Sequence, residues 1–540
     1  MSVWPIISNR FISLIIKNNI MRKSIYSVLL MCITLNIAGQ SICFLEEVYN
    51  DIKVTNDIIY GENATVLYLG FFGEAIKEPL MLDLYEPVAD EDIARPLIIY
   101  FHSGNFLPFP QNQSAVGTRR DSSVVTMCRR LARCGYVVAS ADYRVGWNPA
   151  ATSVDDRKLG LINAAYRGVQ DANTCIRYFK KTTVEASNPF GIDTSRIVLW
   201  GDDSGGYIAL NAGCLDSYIK IPSASDGKFW YAGLFPMVIE YLNGDVEAKH
   251  YGISTPDNNF LPFPVGDTLC YANHTGYSSR FSVSVNMAGA VGDSAWIDPG
   301  QPPVISVHAP YDLTTPYGEG IVYVNLGDGN YLEVVEVQGS SVVNSLTTLY
   351  GNNAGIAMPP NATPLQIAVS DVAFARNGGR EGLYPILGDT ISDGTPWVYW
   401  DCPSNPNCTG GLSTNPHMSK EKALLYMDTI LAYVLPRLYN KLQLGVQGPC
   451  TVGTKEVLAP IDMDISISPN PAWDEIIITT QKDYPMRNIR VYDMKGTLVN
   501  QYENIENTFF QLPIDKLIPG QYILKLQFEQ GTAARQFVVN

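Results

Sequence analysis

Residues 196–206 read RIVLWGDDSGG, and residues 207–213 continue as YIALNAG. A short apolar run enters a glycine-flanked turn, and a helix-like stretch leaves it. Strand, tight turn and helix in this order make a site for an elbow of the pattern G-x-S-x-G, whose central residue is a nucleophile. Counted from Gly201, the central residue here is Asp203, and Ser204 follows one place late.

Outward from the elbow the chain alternates β and α patterns. PLIIYFH, GYVVASADY and RIVLWG are short apolar runs bounded by turn residues, as in strands buried on both faces. TVLYLGFF and LMLDLYEP read as two antiparallel strands ahead of them. Between the second and third runs, Leu161, Ala165, Val169, Ala172, Ile176 and Phe179 recur at helical spacing and predict a long helix around 157–186. FSVSVNMAG and PPVISVHAP resume the strand pattern after an irregular, aromatic-rich insertion at 216–280. A second excursion spans 320–410. SKEKALLYMDTILAYVLPRLYNKL predicts a closing helix with Ser419 as N-cap. The expected fold class is α/β, a mostly parallel sheet covered by helices. After a linker at 451–463 the pattern changes to short strands every eight to twelve residues, which predicts a small all-β sandwich over 464–540.

Bulk properties narrow the function. The chain has 540 residues, enough for one large and one small domain, and its 46 % apolar content supports a sizeable core. A net charge of −15 without basic blocks argues against nucleic acid and anionic membranes as partners. Residues 1–40 read as a secretory signal peptide, with Met21 a candidate start, Arg22 and Lys23 as the basic region, and IYSVLLMCITLNIAG as the apolar one. That run is short for a membrane span, and no transmembrane segment is expected in the mature chain. Residues 1–40 hold four positive charges and no negative ones, so a chain without them carries −19. Of ten cysteines Cys32 lies in the signal peptide and the other nine enter an oxidising compartment, where disulfides are expected, and Cys402 and Cys408 in CPSNPNC are the expected pair. GQSIC lacks a lipobox before Cys43. No cysteine or histidine cluster has metal-ligand spacing, and no P-loop or dinucleotide fingerprint occurs, so no cofactor is expected.

A nucleophile at the elbow calls for an acid and then a histidine further along the chain. Asp312, in HAPYDLTTPYG, follows a late strand and is the candidate acid. Of the five histidines only His417, in TNPHMSKEK, lies downstream of it, and it is the candidate base. Ser103 and Gly104, in YFHSGNF, are placed to give an oxyanion-hole amide, with Ser204 giving the other.

PLIIYFHSGNF, GYVVASADYR, AYRGVQDANTCIRYFKK, GIDTSRIVLWGDDSGG and HAPYDLTTPYG together resemble the carboxylesterase and lipase group of α/β-hydrolases over roughly residues 50–440. The resemblance implies a hydrolase domain at 41–450 acting on carboxylic esters. Aligned without gaps, the family serine falls on Asp203. ISPNPAWDEI, IRVYDMKGTLV, LIPGQYILKL and ARQFVV resemble the C-terminal sorting domain of the type IX secretion system of Bacteroidetes. That implies the secretion machinery as partner and a secreted or outer-surface location. Three readings of the elbow stay open. Ser204 is the nucleophile of a shifted elbow, with His417 as base and Asp312 holding its imidazole. Alternatively Asp203 is a carboxylate nucleophile, as in haloalkane dehalogenases and epoxide hydrolases. In the third, the protein is an inactive hydrolase fold serving as a surface binding or structural module. The ester or polymer substrate is not named by any motif.

Overall fold

The computed structural model describes residues 43–88, 94–257, 263–325, 331–388, 394–446, 465–481, 484–493, 498–528 and 532–540. The expected signal peptide and the linker fall outside these residues. Contacts divide the chain into two units, one within 1–86 and 95–449 and the other within 87–94 and 450–540.

The large unit is built on one eight-stranded sheet. Its strands in chain order are β1 (Ile52–Thr65), β2 (Ile76–Pro87), β3 (Arg95–Phe101), β4 (Val137–Ala141), β5 (Ile192–Asp202), β6 (Val283–Met287), β7 (Val304–His308) and β8 (Leu383–Pro385). They lie in the spatial order β1-β2-β4-β3-β5-β6-β7-β8. β2 pairs antiparallel with β4, and every pairing from β4 through β8 is parallel. All residues of β3, β4, β6 and β7 are buried, which is why these strands read as unbroken apolar runs rather than alternating ones. Helices cover the sheet, as parallel pairing demands: α1 (Ser122–Arg133), α2 (Val154–Glu185), α3 (Ser204–Cys214), α4 (Ser340–Leu349), α5 (Pro364–Asn377) and α6 (Lys420–Lys441). The Ser153 side chain caps α2 by accepting from the Asp156 amide, and Asp155 and Asp156 favour the positive helix start. Ser419 caps α6 through the Lys422 amide at 3.1 Å.

Two expectations are corrected. TVLYLGFF is not a strand. β1 ends at Thr65, and Leu69–Phe72 form a single helical turn closed by Gly73 at φ 74°. Phe71 and Phe72 are 85 % and 63 % exposed, so an apolar run here has no core to enter. The stretch 320–410 is not a simple excursion either. It supplies α4, α5 and β8, whose three residues are too few to stand out as a hydrophobic period.

The small unit has two antiparallel sheets. One joins Ser466–Ser468, Glu475–Thr479 and Phe509–Pro513, and the other joins Leu498–Tyr502, Asn488–Asp493, Gly520–Gln527 and Thr532–Val539. Ile476, Ile478, Val491, Leu512, Leu524 and Phe537 belong to its separate core.

Candidate functional site

The parallel strands end at a common edge, and β5, at the centre, delivers the elbow there. Phe101 and Asn286 flank Gly201 in register. A Cβ on Gly201 would lie 1.9 Å from the Gly205 carbonyl oxygen, and one on Gly205 would lie 2.0 Å from that of Phe101. Glycine is therefore required at both positions, and the residue midway between them is Asp203. It sits at φ 50°, ψ −113°, a region that side-chain-bearing residues enter only at a cost and which marks functional turns. Its amide donates to the Met287 carbonyl at 2.8 Å, and α3 begins at the next residue.

Ser204 belongs to that helix and is buried. Its Oγ lies 2.8 Å from Tyr143 Oη, and the Tyr143 hydroxyl donates to the His102 carbonyl at 3.0 Å. A phenol has one proton, so the Ser204 hydroxyl must donate to Tyr143. The serine proton is committed to a tyrosine, not to an imidazole.

The Asp203 carboxylate accepts from Ser103 Oγ at 2.9 Å. Burial drives its pKa up and the Asp312 charge adds to this; Ser103 and the amides of Ser204 and Gly104 pull the other way, and the outcome is about 6. Those two amides are the donors expected to form an oxyanion hole, and here they face a carboxylate of the chain itself. Neighbouring Asp202 is buried, accepts from Trp397 Nε1 at 3.1 Å, and is pushed well above the carboxylate range by burial and by Asp203.

Asp312 reaches the same edge from the loop after β7. Its Oδ1 accepts from the Thr314 amide and hydroxyl and from the Thr315 amide. Its Oδ2 lies 3.6 Å from His308 Nε2. Burial opposes its charge, but His308 and the Thr314 donors outweigh that and hold its pKa below the usual range. His308 is fixed from both sides, with Nδ1 2.8 Å from Ser340 Oγ and Nε2 3.2 Å from the Thr315 carbonyl.

Ser103, Asp203, Ser204 and Asp312 line one cavity of about 590 Å³. Its walls are mainly apolar, with Phe106 from the loop after β3, Leu161 and Val169 from α2, and Phe229 and Trp296 from the insertion and the loop before β7. His417 is not among the lining residues. It is exposed in the turn ahead of α6, and no hydrogen bond or ion pair joins it to Asp203 or Asp312. The loop after β8 instead sets Gly394 against Asp312, where a Cβ would lie 3.1 Å from Oδ1. All five histidines are described. His102 is buried 3.4 Å from Asp142, His250 is exposed, His274 meets the Tyr60 carbonyl, and His308 lies beneath Asp312. None lines the cavity. Sequence order selected His417 by elimination, a route that presumes a histidine is there to be found. The Tyr143–Ser204 pair had no sequence signal.

Cys402 and Cys408 are joined by a disulfide, and Thr409–Gly411, just beyond it, line the cavity. Among the described residues no group of three or more acidic, histidine or cysteine side chains is placed to hold a metal ion.

Sheet order and elbow define the class of the large unit, an α/β-hydrolase. Residues 82–227 match the BD-FAE family, which makes that stretch esterase-like, and residues 466–540 match the secretion system C-terminal sorting domain. Such a domain directs export to the cell surface or beyond. Among solved structures the chain is similar to esterase 2 of Thermogutta terrifontis. The propionate-bound form is 16 % identical over 74 % of this chain and 96 % of that one, with a TM-score of 0.33. The native form is 15 % identical over 74 % and 94 %, with a TM-score of 0.32. No curated protein matches the chain. Among the described residues no helix is long and apolar enough to cross a membrane.

Proposed function

We propose that this is an exported α/β-hydrolase-fold protein that no longer performs serine-esterase chemistry and uses the retained cavity to bind an apolar ligand. The signal peptide within 1–40, the hydrolase domain at 41–450, the linker at 451–463 and the sorting domain at 464–540 complete the reading. One observation carries it: the elbow side chain is a carboxylate facing the oxyanion-hole amides, in a cavity without an imidazole. An ester carbonyl needs those amides for its developing negative charge, and a carboxylate already facing them repels it. Ser204 has a buried hydroxyl bonded to Tyr143, and among the described residues no imidazole lines the cavity to take its proton. An Asp203 ester, were it to form, would still need a base to activate the hydrolytic water. The cavity volume and its apolar walls with a few convergent polar groups suit a small-molecule ligand.

The test is labelling of the full chain with a fluorophosphonate, together with turnover of p-nitrophenyl esters. We expect neither, in the native protein or in Ser204→Ala. Labelling that disappears in Ser204→Ala would restore the serine reading. Turnover that survives Ser204→Ala and is lost in Asp203→Ala would favour the carboxylate nucleophile.

A further inference from the structure

Among the described residues, the charged side chains lining the cavity are Asp203, Asp312 and Lys158. Two of the three are carboxylates, and both belong to the loops at the carboxyl edge of the sheet. The Asp312 side chain is only 2 % exposed, yet its Oδ2 receives no hydrogen bond from the described residues. His308 Nε2 is 3.6 Å away and already lies against the Thr315 carbonyl. A buried carboxylate oxygen left unsatisfied carries a desolvation penalty. Beside it, Gly394 presents no side chain. Asp203 bears the mark of the same imbalance, since the Asp312 charge helps to raise its pKa. Lys158 offers no relief here. Its ammonium, in the first turns of α2, lies 3.9 Å from Asp155.

We propose that the cavity takes an apolar ligand bearing a single primary ammonium group, the ammonium set against the carboxylates of Asp203 and Asp312 and the apolar body against the α2 and Trp296 walls. A primary ammonium supplies three donors. One would satisfy Asp312 Oδ2, and the positive charge would offset two carboxylates in a site of low dielectric. A carboxylate-headed ligand would meet like charge at that end. A neutral alcohol would fill the walls and could offer one donor to Asp312 Oδ2, but it brings no charge to offset the two carboxylates. The inference rests on the proposed non-catalytic reading of the site.

Three probes of one chain length separate these cases: octylamine, octanol and octanoate, titrated calorimetrically into the full chain at neutral pH. Octylamine should bind at least tenfold more tightly than octanol, and octanoate more weakly than either. In Asp312→Asn the amine's advantage should fall to within about threefold while octanol binding is kept, which also shows that the variant is folded. Asp203→Asn should reduce the advantage in the same direction. Equal or tighter binding of octanoate would overturn the proposal and point to Lys158. So would an amine advantage that survives both Asn changes, or no octylamine binding at millimolar concentration. Ester turnover measured on the same preparation reports separately on the non-catalytic reading.

Discussion

Asp203 joins a strained backbone to a buried charge, and both leave measurable traces. An unfolded aspartate titrates near 3.9, whereas Asp203 titrates at about 6. Between those values the folded chain holds the proton more tightly. Stability from this residue is therefore full at low pH, falls as pH rises through the window, and levels off above about 6. The slope amounts to about 3 kcal/mol at most. Asp312 acts with the opposite sign, since its pKa lies below the ordinary one and its contribution is lost as acid protonates it. Urea denaturation at pH 4.5 and 7.5 should show the loss across this interval shrink in Asp203→Asn. Ser204→Ala should cost about 1 kcal/mol through the lost bond to Tyr143, read as a lower urea midpoint. Asp203 and Ser204 were legible as the two contenders for the elbow. Which one stands at its apex was decided by Gly201 and Gly205, whose hydrogens alone fit against Gly205 and Phe101 carbonyls.

The elbow works as an element because β5 and α3 are held within backbone contact of each other and of β3. Gly205→Ala should destabilise by about 3 kcal/mol or more, because the methyl would meet main chain, which cannot swing aside. Thermal melting followed by circular dichroism would register it. The loop after β8 is the other element that matters. It passes Asp312 at Gly394, so the chemistry absent from the cavity can be supplied there. Asp203→Ser alone should remain inactive toward p-nitrophenyl acetate. Asp203→Ser with Gly394→His should show turnover above it, because an imidazole at 394 would stand against the Asp312 carboxylate. At this scale the sequence was readable where strands are buried on both faces, as in β3 to β7. It misled at residues 65–72, where hydrophobicity outlasted the strand and the aromatics turned outward. It was silent at β8 and at Phe509–Pro513, strands of three and five residues whose partners lie far away in the chain. Pairing partners, not local pattern, create such strands.

The whole molecule is two cores with different tasks. The small unit closes its own core of isoleucine, valine, leucine and phenylalanine, and the large one is built around its sheet. Deleting 466–540 should leave the large unit's melting transition within about 2 °C of the full chain's, a shift corresponding to under about 2 kcal/mol for a unit of this size. The same deletion should abolish appearance of the protein at the cell surface, as judged by protease accessibility on intact cells.

The Cys402–Cys408 bridge adds a consequence in time as well as in space. The residues just beyond it help to wall the cavity, and Trp400 Nε1 lies 3.4 Å from Cys408 Sγ. A thiol pair at these positions stays open in the reducing cytoplasm and closes only in an oxidising compartment. On the proposed reading the newly made chain therefore travels with an unbraced cavity wall, and export into an oxidising compartment is what closes the bridge.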